Sequence, residues 1–130
     1  MNIRSILAAI ALVLTLGLAT ALPSAAETPF SPAALVEAQQ AGKPILVEVF
    51  APWCPTCKAQ NVVLDGLLNG DRFKDLVRLR VDFDNQKSDV RALNASMQST
   101  LIVYKGESEV GRLVGETDPE AIEALLAKAL

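Results

Sequence analysis

Residues 44–58 read PILVEVFAPWCPTCK, and the organisation of the chain turns on them. ILVEVF is apolar on both faces of a strand apart from Glu48, as in a central strand covered on both sides. A lone carboxylate in such a strand needs a reason. Just beyond it stand the chain's two cysteines, Cys54 and Cys57, opening a helical pattern that runs to about Leu68 and stops at Asn69-Gly70.

A Cys-x-x-Cys at a helix start puts the two α-carbons one turn apart, near the roughly 5.5 Å that a disulfide prefers. Cys54 falls at the cap and Pro55 at the first helical position, where its missing N–H costs nothing. The amides of Thr56 and Cys57 then point at the Cys54 sulfur, and the helix dipole favours a thiolate there. This predicts Cys54 as the exposed, reactive member of the pair. Other readings compete with a redox pair. A structural staple closing so short a loop restricts the unfolded chain little. A zinc site needs about four ligands, and the chain has no histidine and no third cysteine, so only a second copy or carboxylates would complete one.

Upstream, Ser31-Pro32 supplies an N-cap and a first-turn proline for a helix, AALVEAQQA, ended by Gly42. Residues 27–30 read as a short linker. Before them, one early positive charge at Arg4, an uncharged apolar block from Ile6 to Leu18, and small residues at Ser24 and Ala26 predict a secretory signal over 1–26. The competing reading is a retained membrane anchor. The chain has 12 basic and 15 acidic side chains, and Arg4 would leave with the signal, so nothing suggests a nucleic-acid partner. An exported chain meets an oxidising compartment, where two cysteines are free to pair.

Downstream, Val62, Val63 and Leu67 mark the apolar side of the helix after Cys54. LVRLRVDF reads as a second strand, SDVRALNA as a short helix capped by Ser88 or Asp89, and TLIVYKG with EVGRLVGE as a hairpin around Gly106. Asp118-Pro119 opens a last amphipathic helix, EAIEALLAKAL. The order αβαβαββα over residues 31–130 predicts an α/β domain. Its sheet would be mixed and four-stranded, with a right-handed parallel crossover, a terminal hairpin and helices on both faces.

VEVFAPWCPTCK resembles the active-site segment of the thioredoxin superfamily, and the element order agrees with that fold from about Phe30 to Leu130. The opening ALVEAQQAGKP looks most like short periplasmic thioredoxin-like domains, and the Pro-Thr between the cysteines is similar to that of periplasmic thioredoxins serving cytochrome c maturation. The resemblance implies that Glu48, six residues before Cys54, is the family's buried acid. Such a carboxylate takes a proton from Cys57 or returns it, and Arg80 on the neighbouring strand would be its basic partner. It also implies that Trp53, Pro55, Ser99 and Thr100 contact substrate.

One position departs from the family. Thioredoxins place a cis-proline opposite the cysteines, and in MQSTLIVY that position is Ser99, followed by a matching Thr100. A non-proline cis bond costs about 2.5–4 kcal/mol, so the Gln98–Ser99 bond is expected to be trans, with the serine hydroxyl facing the sulfurs. Loss of the proline also keeps a dithiol metal-binding module or an inert scaffold in view as the alternative. The leading expectation is an exported thiol–disulfide oxidoreductase, periplasmic and monomeric, reducing protein disulfides with electrons from an upstream thiol reductant. No organic cofactor or metal is expected, nor stable membrane association after signal cleavage.

Overall fold

The computed structural model describes residues 26–130. The expected signal over 1–26 therefore lies outside the described residues except for Ala26. β1 (Thr28–Pro29), α1 (Pro32–Gln40), β2 (Pro44–Phe50) and α2 (Pro55–Leu68) follow one another, and a 3-10 turn (Asp71–Phe73) leads to β3 (Val77–Asp82). Then come α3 (Lys87–Ala92), β4 (Thr100–Lys105), β5 (Ser108–Val114) and α4 (Pro119–Ala127).

The sheet is mixed, in the order β1-β3-β2-β4-β5. β1, β3 and β2 run parallel, while β4 is antiparallel to β2 and β5 to β4. Five strands replace the expected four because the segment 27–30 is not merely a linker. Thr28 and Pro29 pair with Leu79 and Arg80, and the Phe30 amide donates to the Arg80 carbonyl at 2.8 Å. Two residues are too few to show an alternating pattern, and Pro29, without an N–H, is tolerated because β1 is an edge.

β2 lies in the middle and is buried on both faces, which accounts for its apolar run. Ile45, Val47 and Val49 join one core with Ala38, Leu79, Val81, Val90 and Ile102. Leu46 joins the other with Leu64, Leu68, Leu101, Ile122 and Leu126. By the two-residue period of a strand, Glu48 shares the face of Leu46, beneath α2 and α4. Val63 and Leu67 of α2 pack on this second core as expected, but the side of the helix differs from expectation at Val62. Its buried stripe is Cys57, Gln60, Leu64 and Leu68, whereas Val62 is 73% exposed. Tertiary contact rotates the helix so that the cysteine faces inward.

The helix ends follow local chemistry. Ser31 Oγ accepts from the Ala34 amide at 3.0 Å, and Gly42 leaves α1 with φ +66°, a value that favours glycine. α3 starts earlier than expected, at Lys87, with Gln86 in the cap position rather than Ser88 or Asp89. Gln86 accepts from the Asp82 amide and donates to Asp89 and to the Phe30 carbonyl. Among the described residues no helix is long and apolar enough to cross a membrane.

Candidate active site

Where β2 ends, Ala51-Pro52-Trp53 turns the chain into α2, and the Cys54 amide donates to the Ala51 carbonyl at 3.1 Å. Cys54 is the N-cap of α2: its Sγ accepts from the Cys57 amide at 3.0 Å. The two cysteines form a disulfide with their α-carbons 5.3 Å apart. They pack on Ala51, with Phe50 and Phe83 beside them. Each is only 2% exposed, so the expected exposure of Cys54 is not found in the disulfide form. Its claim to be the nucleophile rests instead on its place at the helix N-terminus, where an N–H and the dipole stabilise a developing thiolate.

Trp53 is 55% exposed beside the disulfide. Its Nε1–H donates to Asp84 Oδ2 at 2.8 Å, and its ring meets Phe83 edge-on at 6.5 Å between centroids. The indole is thus held by one polar and one aromatic contact while a large part of it faces solvent, an arrangement suited to meeting a partner. Pro55 is exposed at the first position of α2.

Ser99 sits at the same end of the sheet, because Val49 of β2 pairs with Thr100. Among the described residues no peptide bond is cis, as expected for Gln98–Ser99. The backbone adapts by placing Ser99 in the left-handed region, φ +58°, which costs an L-residue about 1–2 kcal/mol. Its amide donates to the Val49 carbonyl at 2.8 Å, and its carbonyl accepts from the Gly115 amide at 2.9 Å. Its hydroxyl does not face the sulfurs. It donates to the Gln98 carbonyl at 2.6 Å, and Thr100 Oγ1 donates to the Met97 carbonyl at 2.7 Å, so both hydroxyls close on their own turn.

Glu48 is 3% exposed and lies opposite Arg80 in the β2–β3 ladder. Arg80 Nε donates to Glu48 Oε1, as the resemblance implied. A second partner was not foreseen. Arg78, two residues earlier on the same face and 4% exposed, sends Nε to Oε2 at 3.1 Å and Nη2 to Oε1 at 3.3 Å. Arg78 also reaches α2, with Nη2 donating to Asn61 Oδ1 at 2.6 Å and Nη1 to Asp65 Oδ1 at 2.7 Å. Arg80 adds Nη2 to the same Asn61 oxygen at 2.5 Å, an ion pair with Glu27 at 2.6 Å, and a guanidinium 3.9 Å from the centroid of the Phe50 ring. Burial pushes the Glu48 carboxyl above its ordinary value of 4.5, and the two guanidinium groups oppose that without cancelling it. A carboxyl raised in this way is closer to accepting and releasing a proton near neutrality.

The thioredoxin family model matches residues 31–128. The chain belongs to the thioredoxin family. Among curated relatives it is 32% identical over 84 residues to a thioredoxin of Chlamydia trachomatis, covering 65% of this chain and 80% of that one. It is 31% identical over 94 residues to a thioredoxin of Alicyclobacillus acidocaldarius, covering 72% and 89%. Among solved structures, Trxlp from Edwardsiella tarda superposes with a TM-score of 0.75 at 42% identity, covering 78% of this chain and 98% of that chain. With its cysteine pair joined at the helix cap, this thioredoxin is a thiol–disulfide oxidoreductase.

Sequence reasoning missed Arg78, Asn61, Asp65 and Gln60. Arg78 left a signal: in VRLRV the two arginines share a strand face, and both sit on the strand that pairs with Glu48. Asn61, Asp65 and Gln60 left none, since their partners are distant in sequence. Among the described residues no three His, Cys, Asp or Glu side chains are grouped to hold a metal ion.

The Ser99 geometry sets the expected effect of placing the family's proline in this thioredoxin. Proline fixes φ near −65° and has no N–H, so it would lose the bond to Val49 and oppose the observed φ. Ser99→Pro is therefore expected to lower stability in urea by at least about 1–3 kcal/mol, the cost of one buried carbonyl left without its donor. A variant as stable as the parent would show that the turn rearranges to accept proline.

Proposed function

We propose that this thioredoxin is exported to a bacterial periplasm and reduces protein disulfides there, kept in its dithiol form by an upstream thiol reductant. Export is supported by the charge, apolar block and small residues of segment 1–26. The observation that carries the catalytic reading is the Cys57 amide on the Cys54 sulfur at the start of α2. In the dithiol form Cys54 attacks one substrate sulfur, forms a mixed disulfide and releases the other substrate sulfur as a thiolate. Cys57 then attacks Cys54, re-forming the internal disulfide and releasing the second substrate thiol.

The reductant direction is supported by Glu48. On the family's pattern a carboxylate at this position lies beneath the pair and disfavours a thiolate at Cys57, and a dithiol whose thiolate is not stabilised yields its electrons more readily. As a base, Glu48 would take the Cys57 proton when the mixed disulfide resolves. Arg78 and Arg80 set its charge. Trp53 and Pro55, both exposed, would frame the docking surface, with Ser99 and Thr100 buried behind it at 5% and 1% exposure, and a monomer without cofactor suffices for this chemistry.

The reduction potential of the pair tests the direction. Equilibration with a dithiol buffer is expected to give a value nearer about −270 mV than about −120 mV, the range that separates reductants from strong oxidants of this kind. A potential near the upper figure would make the protein an oxidant. Recovery of the unprocessed chain in the cytoplasm would remove export.

A further inference from the structure

Gln60 is the odd member of the buried stripe of α2. It follows Cys57 by one helical turn, is 3% exposed, and precedes Leu64 and Leu68, which carry the stripe into apolar core. An amide in such a place needs acceptors for its hydrogens. It finds two on other segments: Nε2 donates to the Ser99 carbonyl at 3.1 Å and to the Glu116 carbonyl at 2.8 Å. Ser99 belongs to the turn before β4, and Glu116 to the connection between β5 and α4. One side chain of the redox helix thus holds two loops.

A non-glycine residue stays in the left-handed region only where its surroundings over-determine it. Three contacts do so for the Ser99 backbone. Its amide is bound to Val49 and its carbonyl is shared by Gly115 and Gln60. Val49 lies in β2, and Gly115 directly follows β5, so both tie the turn to the sheet. The Gln60 bond ties it to the helix that carries the cysteines.

We infer that Gln60 is a positioning residue for disulfide exchange, holding the Ser99 turn in place against the redox helix and so shaping the surface on which a protein disulfide docks. The inference rests on the oxidoreductase reading. Where the family uses a proline ring, this chain uses a side-chain amide from across the site. A small disulfide needs only the Cys54 sulfur and is indifferent to the turn, whereas a protein substrate must fit against it.

Gln60→Met keeps the length and helix preference of the side chain and removes the two donors. The KM for insulin reduction is expected to rise about tenfold, the scale of one lost hydrogen bond, with kcat little changed. The rate with 5,5′-dithiobis(2-nitrobenzoate) should stay within about twofold, since the sulfur chemistry is untouched. Equal slowing of both substrates, or an unchanged KM, overturns the inference. Failure of the unsubstituted protein to exchange with either disulfide would overturn the oxidoreductase reading instead.

Hydrogen exchange gives a second measure that does not depend on turnover. In Gln60→Met the Ser99 and Gly115 amides should lose protection together while those of Ile102 and Val103 keep theirs. Should the variant not fold, the same two amides of the unsubstituted protein should change protection together when the disulfide is reduced. Unchanged protection in whichever of these comparisons is made overturns the inference.

Discussion

Cys57→Ser is expected to convert the protein into a trap that holds its substrate as a stable mixed disulfide. Cys54 keeps the helix N-terminus and so can still attack and form the intermolecular bond. Resolution requires a second thiolate one turn along the helix, and a serine hydroxyl, with its far higher pKa, does not supply it. Turnover of insulin with dithiothreitol should fall by about 10³-fold or more, approaching the loss seen when a catalytic nucleophile is removed. A covalent adduct should appear on non-reducing gels and vanish on strong reduction. Cys54→Ser should be equally inactive but form no adduct, since Cys57 lies one turn inside α2 and lacks the place at the helix N-terminus that favours the Cys54 thiolate. Equal trapping by both variants, or turnover at the parent rate in Cys57→Ser, would overturn these assignments.

Arg78→Met should cause the largest loss of stability of any single change to the charged side chains. Both partners of the Arg78–Glu48 pair are almost fully buried, and their side chains are 4% and 5% exposed. Removing one member of such a pair costs about 3–5 kcal/mol, because the remaining charge stays in a poor solvent. Asn61 and Asp65 would also lose a guanidinium, so α2 would be held less firmly to β3.

The loss should depend on pH. The Glu48 carboxyl already titrates above its ordinary value of 4.5, and taking away Arg78 moves it further up. A carboxyl with a raised folded-state pKa contributes stability that is fully present below its unfolded pKa and lost as pH rises through the folded value. The difference between Arg78→Met and the parent should therefore be small at about pH 4 and grow toward pH 8, where the parent keeps Glu48 paired. Urea titrations across that range measure it. A constant difference would show that Arg78 acts by packing alone.

Much of this was legible because it depends on neighbours in sequence. The double-sided apolar run of β2 placed it at the centre of the sheet, and the Cys-x-x-Cys at the helix start specified a closable pair whatever the rest of the chain does. Ser31, Pro32, Gly42 and Pro119 marked helix ends by their own backbone preferences. Glu48 stood out because a charge in a buried strand demands a partner, and the family resemblance named Arg80 as that partner.

What only the tertiary structure decided concerns contacts between segments far apart. β1 exists because Thr28 and Pro29 find the free edge of β3, and two residues have no periodicity to announce them. The inward face of α2 was misjudged at Val62 because an amide at Gln60 is tolerable in the core only when carbonyls from two remote loops meet it. Ser99 could be expected to be trans on energetic grounds, but its left-handed φ arises from bonds to Val49, Gly115 and Gln60 that lie 50, 16 and 39 residues away in sequence. Arg78 joins Glu48 for the same reason: strand register brings two arginines and one carboxylate to a single face, and register is a property of the assembled sheet.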